Sequence, residues 1–143
     1  MSFDTLIRPA TTSVKPVVLS AQSINRQAIE SFPDTSHGRV TWRTLVSSSR
    51  TASNELTVGL ATCPSGSGSL HHHRHTQAEV YHITGGSGVV TIDGEESPVE
   101  KGAVVYIPGN AEHSIRCTSD AEDLEWLYCF AADDFGEIRY RFS

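Results

Sequence analysis

The feature that most constrains this chain is a series of eight short apolar runs from Arg39 onward, separated by tight-turn sequences. Runs of four to eight residues, rich in β-branched and aromatic side chains, predict strands. They span residues 40–47, 55–63, 78–84, 88–92, 103–107, 113–117, 124–130 and 138–142. No long helix alternates with them, so the pattern favours an all-β sandwich or barrel over a parallel α/β sheet.

The turns between these runs are written in residues that tolerate unusual backbone angles. Asp93-Gly94 is the clearest case, because a type I′ hairpin turn needs positive φ at both central residues. The other turn sequences are Pro64-Ser65-Gly66-Ser67-Gly68, Gly85-Gly86-Ser87-Gly88 and Pro108-Gly109-Asn110. Each separates two predicted strands, which supports an antiparallel arrangement.

The first 36 residues differ from the rest, because they are rich in Thr, Ser, Pro and Val and hold one weak helical segment, Ala21 to Phe32. Ser20 or Ser23 would cap that helix, and Pro33 would end it. We therefore expect an N-terminal arm over residues 1–36, packed on the barrel or on a partner subunit. The barrel itself is expected over residues 37–143.

Length and charge narrow the functional classes. A chain of 143 residues fits one domain with a single core. Its net charge of −6, with 11 Lys and Arg in no cluster, argues against nucleic acid as a partner. Its three cysteines have no paired spacing, and no secretory or membrane-spanning apolar run is present. The sequence therefore predicts a soluble, cytoplasmic protein with no membrane partner.

The densest chemical signal is a run of histidines, His71-His72-His73-Arg74-His75, followed by Glu79 and, much later, His113. In a strand, positions i and i+2 point to one face about 7 Å apart, so His73 and His75 can converge on one ion. Glu79 has the same parity and adds an anionic oxygen, and His113 would close the site from a neighbouring strand. These four residues are the predicted ligands of one divalent metal ion.

The spacing of these residues resembles the two sequence motifs of the cupin family. His73-x-His75-x-x-x-Glu79-x-x-x-x-x-x-Gly86 resembles the first motif, and Gly102-x-x-x-x-x-Pro108-x-x-x-x-His113 resembles the second. Asn110 and Cys117 stand where the family usually has Gly and Asn. The resemblance implies a cupin-type double-stranded β-helix, or jelly-roll barrel, that pairs into homodimers. It also implies a metal ion, which in this family is often iron, manganese, nickel, zinc or copper.

Other residues near the motifs have less certain roles. His71 shares the parity of His73 and could be an alternative or supporting ligand, whereas His72 and His82 are expected outside the barrel. Tyr81 has the parity of Glu79 and would line the cavity, where filling space is the simpler role.

Three imidazoles and a carboxylate leave a six-coordinate ion two positions for substrate, as in a catalytic site. The leading hypothesis is a dioxygenase-like enzyme that chelates a small oxygenated substrate. The alternative is a redox-neutral lyase, isomerase, decarboxylase or cyclase in which Tyr81 or Glu112 moves protons. A third hypothesis is a non-catalytic cupin that binds a small ligand.

Overall fold

Eleven strands and one short helix organise residues 13–143, the part of the chain that the computed structural model describes. The helix is α1 (Ala21–Arg26). The strands are β1 (Glu30–Ser31), β2 (Thr41–Val46), β3 (Thr57–Cys63), β4 (Ser69–Arg74), β5 (Glu79–Gly85), β6 (Ser87–Ile92), β7 (Glu95–Glu100), β8 (Val104–Ile107), β9 (His113–Cys117), β10 (Leu124–Phe130) and β11 (Arg141–Phe142). Two 3-10 helices, Thr35–His37 and Phe135–Glu137, complete the description.

The strands form two antiparallel sheets that bury their inner faces against each other. One sheet has the order β1-β2-β3-β10-β5-β8 and the other β11-β4-β9-β6-β7. The predicted all-β class is confirmed. Neighbouring strands in each sheet are often far apart in sequence, as in a jelly roll, so residues from distant segments meet inside.

Alternating burial along the central strands fills the space between the sheets. In β10, Leu124, Trp126, Tyr128 and Phe130 point inward, and every second residue of β3 is likewise buried. The sequence did not decide which set of β10 side chains points inward, because both contain apolar residues. Tyr128 lies over Gly59, where an added Cβ would come within 2.1 Å of the phenol. Glycine is therefore required beneath that ring.

Two strands were not among the eight predicted runs. β4 contains the histidine run, and β7 reads Glu95-Glu96-Ser97-Pro98-Val99-Glu100, with only Val99 buried. Both are polar because much of their surface faces solvent, and β7 lies at a sheet edge, where Pro98 is tolerated. The predicted hairpin at Asp93-Gly94 is present, with φ of 49° and 84° at the two residues.

The predicted helix in the arm is shorter than expected. Ser20 caps it by accepting a hydrogen bond from the Ser23 N–H, but it ends at Arg26 rather than Phe32, because β1 pairs with β2. Residues 1–12 of the predicted arm lie outside the described residues, and the boundary at residue 36 stays a prediction. No helix in the described part of the chain has the length and apolarity to cross a membrane.

Asp134 ties the C-terminal segment to the end of β2. Its carboxylate accepts hydrogen bonds from the Ser47 hydroxyl, from the Ser49 N–H at 2.9 Å and from the Gly136 N–H at 3.1 Å. These bonds, led by the one from Ser47, hold the pKa of Asp134 well below its ordinary value. The charged form is therefore favoured in the folded state.

We expect Asp134→Asn to lower the free energy of unfolding at pH 7. A carboxyl group with a lowered folded pKa stabilises the fold above its unfolded pKa of about 3.9, and that contribution is lost as the pH falls through the folded pKa. The difference between wild type and variant should therefore narrow below about pH 4. Denaturant unfolding across this pH range measures it. Asp120→Asn, at an exposed position, is the control. A pH-independent difference would contradict this account.

Candidate metal centre

Three buried histidines come together between the two sheets. His73 lies near the end of β4, His75 follows that strand directly, and His113 begins β9. Each offers a ring nitrogen within 4.8 Å of the others, and none is more than 1% exposed. His73 and His113 are direct partners across the β4–β9 pair, with ring centroids 4.1 Å apart. The trio can hold a metal ion.

An irregularity in β4 selects among the clustered histidines. Leu70 pairs with Ile115 and His73 pairs with His113, so three residue steps in β4 match two in β9. Such a bulge reverses the facing of the side chains that follow. Leu70 and His73 therefore both point inward, whereas His71 and His72 are exposed. Parity alone had left His71 as a possible ligand, because the sequence does not reveal the bulge.

Backbone carbonyl groups orient all three imidazoles in the same way. The Nδ1 atoms of His73, His75 and His113 lie 2.7, 2.9 and 2.9 Å from the carbonyl oxygens of His71, Gln77 and Ala111. A carbonyl oxygen can only accept, so Nδ1 carries the proton and Nε2 presents its lone pair. His71 thus supports the site through its backbone, while its own ring contacts the Ser36 carbonyl.

The inward nitrogens have the character of metal ligands. Among the described residues, Nε2 of His73 and Nε2 of His113 have no hydrogen-bond partner although both are buried. A buried polar atom without a partner is costly, and a bound cation would remove that cost. Burial also lowers the pKa of His73 to about 3, so its imidazole is neutral at ordinary pH. Neutral imidazole is the form that binds a metal.

Glu79 adds a carboxylate from the first position of β5. The side chain is 4% exposed, and its Oε1 lies 3.1 Å from His75 Nε2 and 3.4 Å from His113 Nε2. The strand interrupted after His75 resumes at this residue, so its side chain faces the same interior. Three neutral nitrogens and one anionic oxygen fit the preferences of a divalent transition metal.

A narrow cavity with mainly aromatic walls adjoins this cluster. It is lined by Phe32, Val40, Trp42, Ala61, Leu70, Glu79, Tyr81, Trp126, Tyr128, Phe135 and Tyr140. The space open to the centres of water molecules is about 20 Å³, which suits a small ligand. Tyr81 is 1% exposed, and its ring lies 6.4 Å from that of His113. Burial, followed by the nearby Glu79 charge, raises the pKa of Tyr81 well above its ordinary value.

Tyr140 is a site residue that the sequence did not indicate. Its ring is stacked on His73, with centroids 4.9 Å apart and planes 27° apart, and it also lines the cavity. The residue comes from the C-terminal segment, 67 positions after His73. No spacing rule links it to the histidine run, and only the pairing of β11 with β4 brings the two together.

The other predicted residues lie outside the cluster. Glu112 accepts a hydrogen bond from the Ser143 hydroxyl and lies 4.0 Å from Arg74, at a partly exposed position. His72 and His82 are exposed, as expected. Asn110 occupies the position where the family usually has glycine, and its φ of 66° shows that the turn keeps a left-handed conformation.

Comparisons with known proteins agree with this architecture. Residues 59–130 match the Cupin domain family. The chain is 35% identical over 138 residues to the dimethylsulfoniopropionate lyase DddW of Ruegeria pomeroyi, covering 96% of this chain and 87% of that protein.

Solved structures show the same fold. A predicted oxalate decarboxylase from Thermotoga maritima has a TM-score of 0.65 and 26% identity, over 76% of this chain and 96% of that one. The polyketide cyclase RemF from Streptomyces resistomycificus has a TM-score of 0.69 and 16% identity, over 91% and 85% of the two chains. The predicted cupin-type jelly roll is confirmed, and the chain is a member of the cupin family.

Proposed function

We propose that this protein is a metal-dependent cupin lyase that acts on dimethylsulfoniopropionate or a close analogue. The observation that carries the choice is the 35% identity, over 96% of the chain, to a lyase of that substrate. This relative supports the prediction that the chain is an enzyme. It favours the redox-neutral alternative over the dioxygenase that we placed first from the sequence.

The proposed reaction is a β-elimination. A base removes a proton from the carbon next to the substrate carboxylate, and the electron pair left behind forms a carbon–carbon double bond. The carbon–sulfur bond breaks, and dimethyl sulfide leaves with the electron pair of that bond. The products are dimethyl sulfide and acrylate, and the proton stays on the base. No electron acceptor is consumed, so the reaction needs no oxygen.

His73, His75, Glu79 and His113 are the proposed metal ligands. Their support is the convergence of the three imidazoles, the unpartnered Nε2 atoms of His73 and His113, and the adjacent Glu79 carboxylate. A divalent ion held there would act as a Lewis acid toward the substrate carboxylate. The iron, manganese, nickel, zinc and copper of the sequence-based prediction all remain compatible with this donor set.

The aromatic walls of the cavity suit a small sulfonium compound. The faces of Trp42, Trp126 and Tyr128 present negative electrostatic potential, and a desolvated cation is attracted to such faces. The same walls exclude water, which strengthens every charge interaction inside. A small zwitterion with a cationic end therefore matches this cavity better than a larger or uniformly polar molecule.

Tyr81 is the proposed proton-transfer residue. Its side chain is buried in the same cavity as Glu79, and its ring faces that of His113. Glu112, the second candidate from the sequence, has its carboxylate bonded to Ser143 at a partly exposed position. The geometry therefore favours Tyr81.

Assembly and location are carried over from the sequence as proposals. A homodimer would cover apolar surface on the outer face of β5 and β8, where Val104 is 69% and Tyr106 63% exposed. A cytoplasmic location likewise stays a prediction.

We expect His73→Ala to abolish metal retention and His72→Ala to preserve it. The two residues are neighbours, but only His73 points into the cluster. Elemental analysis of the purified proteins measures metal per chain, and circular dichroism verifies folding. Removing the metal from wild type with a chelator should also lower its Tm, because a ligand that binds only the folded state stabilises it. Equal metal content in both variants would contradict the assignment.

The metal-loaded protein is expected to release dimethyl sulfide and acrylate from dimethylsulfoniopropionate in equal amounts, with and without oxygen. Gas chromatography and liquid chromatography measure the two products, with chelator-treated protein as the control. Oxygen consumption with a diketone or catechol, and no elimination, would instead favour the dioxygenase. Tight binding of the sulfonium compound without turnover would favour the non-catalytic alternative.

Tyr81→Phe keeps the ring and removes the hydroxyl group. If the phenol moves the proton, kcat should fall by about 10²- to 10⁴-fold, the usual contribution of a positioned acid or base. Metal content and Tm should stay at wild-type values. Glu112→Gln is the comparison, and we expect it to retain activity. Wild-type kcat in Tyr81→Phe would show that this side chain only fills space.

A further inference from the structure

The C-terminal segment lies over one face of the histidine cluster. β11 pairs with β4 so that Phe142 is opposite His73 and Arg141 is opposite Arg74. Tyr140 precedes Phe142 by two positions and therefore projects to the same side. The two rings are stacked with centroids 5.9 Å apart, and both lie within 5.5 Å of the His73 ring.

The contact belongs to a longer aromatic stack that joins three parts of the chain. His37, beside the N-terminal arm, stacks on Phe142 with centroids 3.6 Å apart and planes 8° apart. Phe142 stacks on Tyr140, and Tyr140 stacks on His73. Phe32 meets Phe142 and Tyr140 edge-on, at 5.7 and 6.1 Å. The stack thus ends on one of the candidate metal ligands.

Polar bonds on the outer side hold this segment in register. The Ser143 N–H donates to the His72 carbonyl at 3.0 Å, and its hydroxyl donates to Glu112. Arg141 donates to the Asn110 side chain at 2.8 Å, and Arg74 donates to the Asn110 carbonyl at 3.0 Å. Four polar residues that the proposed chemistry does not use therefore share one structural task.

We infer that Tyr140 is a positioning residue that fixes the His73 imidazole for metal binding, and that the bonds of Arg141 and Ser143 hold Tyr140 in place. The Nδ1 bond to the His71 carbonyl restrains the His73 ring at one atom, and the Tyr140 ring restrains its plane. Partners that orient a ligating histidine contribute to metal affinity. The inference rests on the proposed metal centre but not on the identity of the substrate.

The experiment compares full-length proteins loaded with Co²⁺. Tyr140→Ala should release Co²⁺ to a chelator roughly 10- to 100-fold faster than wild type, the usual effect of losing a partner that orients a ligand. Its visible absorption spectrum should also shift, because the geometry of the ligands sets that spectrum. Tyr140→Phe keeps the stacked ring and should restore both properties. Tyr106→Ala, which removes an exposed tyrosine from the outer face of β8, is the matched control.

Tyr140→Leu provides a second test should Tyr140→Ala fail to fold, because leucine fills much of the space without a flat ring. Wild-type release rate and spectrum in folded Tyr140→Leu would overturn the inference, as would a Tyr140→Phe variant that behaves like Tyr140→Leu. A wild type that retains Co²⁺ but does not cleave dimethylsulfoniopropionate would refute the proposed substrate and leave this inference standing. A wild type that retains no Co²⁺ would overturn both.

Discussion

The pairing of β4 with β9 is the constraint on which the candidate site depends. It places His73 opposite His113, and the bulge before His73 turns that side chain into the interior. Carbonyl oxygens then hold the Nδ1 atoms, so the Nε2 lone pairs converge in a dry space where they have costly surroundings without a cation. Polar atoms buried in this way weaken an apolar core, and their retention is explained by a site built for a ligand.

The aromatic residues around this centre connect stability with function. Trp126 and Tyr128 from β10 and Trp42 from β2 bury apolar surface in the core and also line the cavity. The C-terminal segment adds Tyr140, which contacts both the cavity and His73. Because the same rings support the fold and surround the substrate space, substitutions here are expected to change stability and ligand binding together. Metal retention and Tm are therefore measured beside activity in each proposed variant.

Most of the central architecture was predictable from local pattern. Short alternating runs and turn sequences indicated an all-β fold, and Asp93-Gly94 marked its hairpin because few residue pairs accept positive φ at both positions. The predictions were less accurate where residues have two solvent-facing environments. β7 was missed because five of its six residues are exposed. The arm helix was predicted too long, because the pairing of β1 with β2 ends it early and tertiary contacts outweigh weak helix propensity.

The sequence by itself determined the donor set of His73, His75, Glu79 and His113, because the spacing of metal-binding side chains along strands is a local property. It also determined the strand-rich fold class, for the same reason. Tertiary structure alone decided that His71 faces outward, that Trp126 and Tyr128 face inward, and that Tyr140 stacks on His73. Each of these depends on a bulge or on pairing between segments far apart in the chain, and no periodicity within a single segment encodes which distant partner it meets.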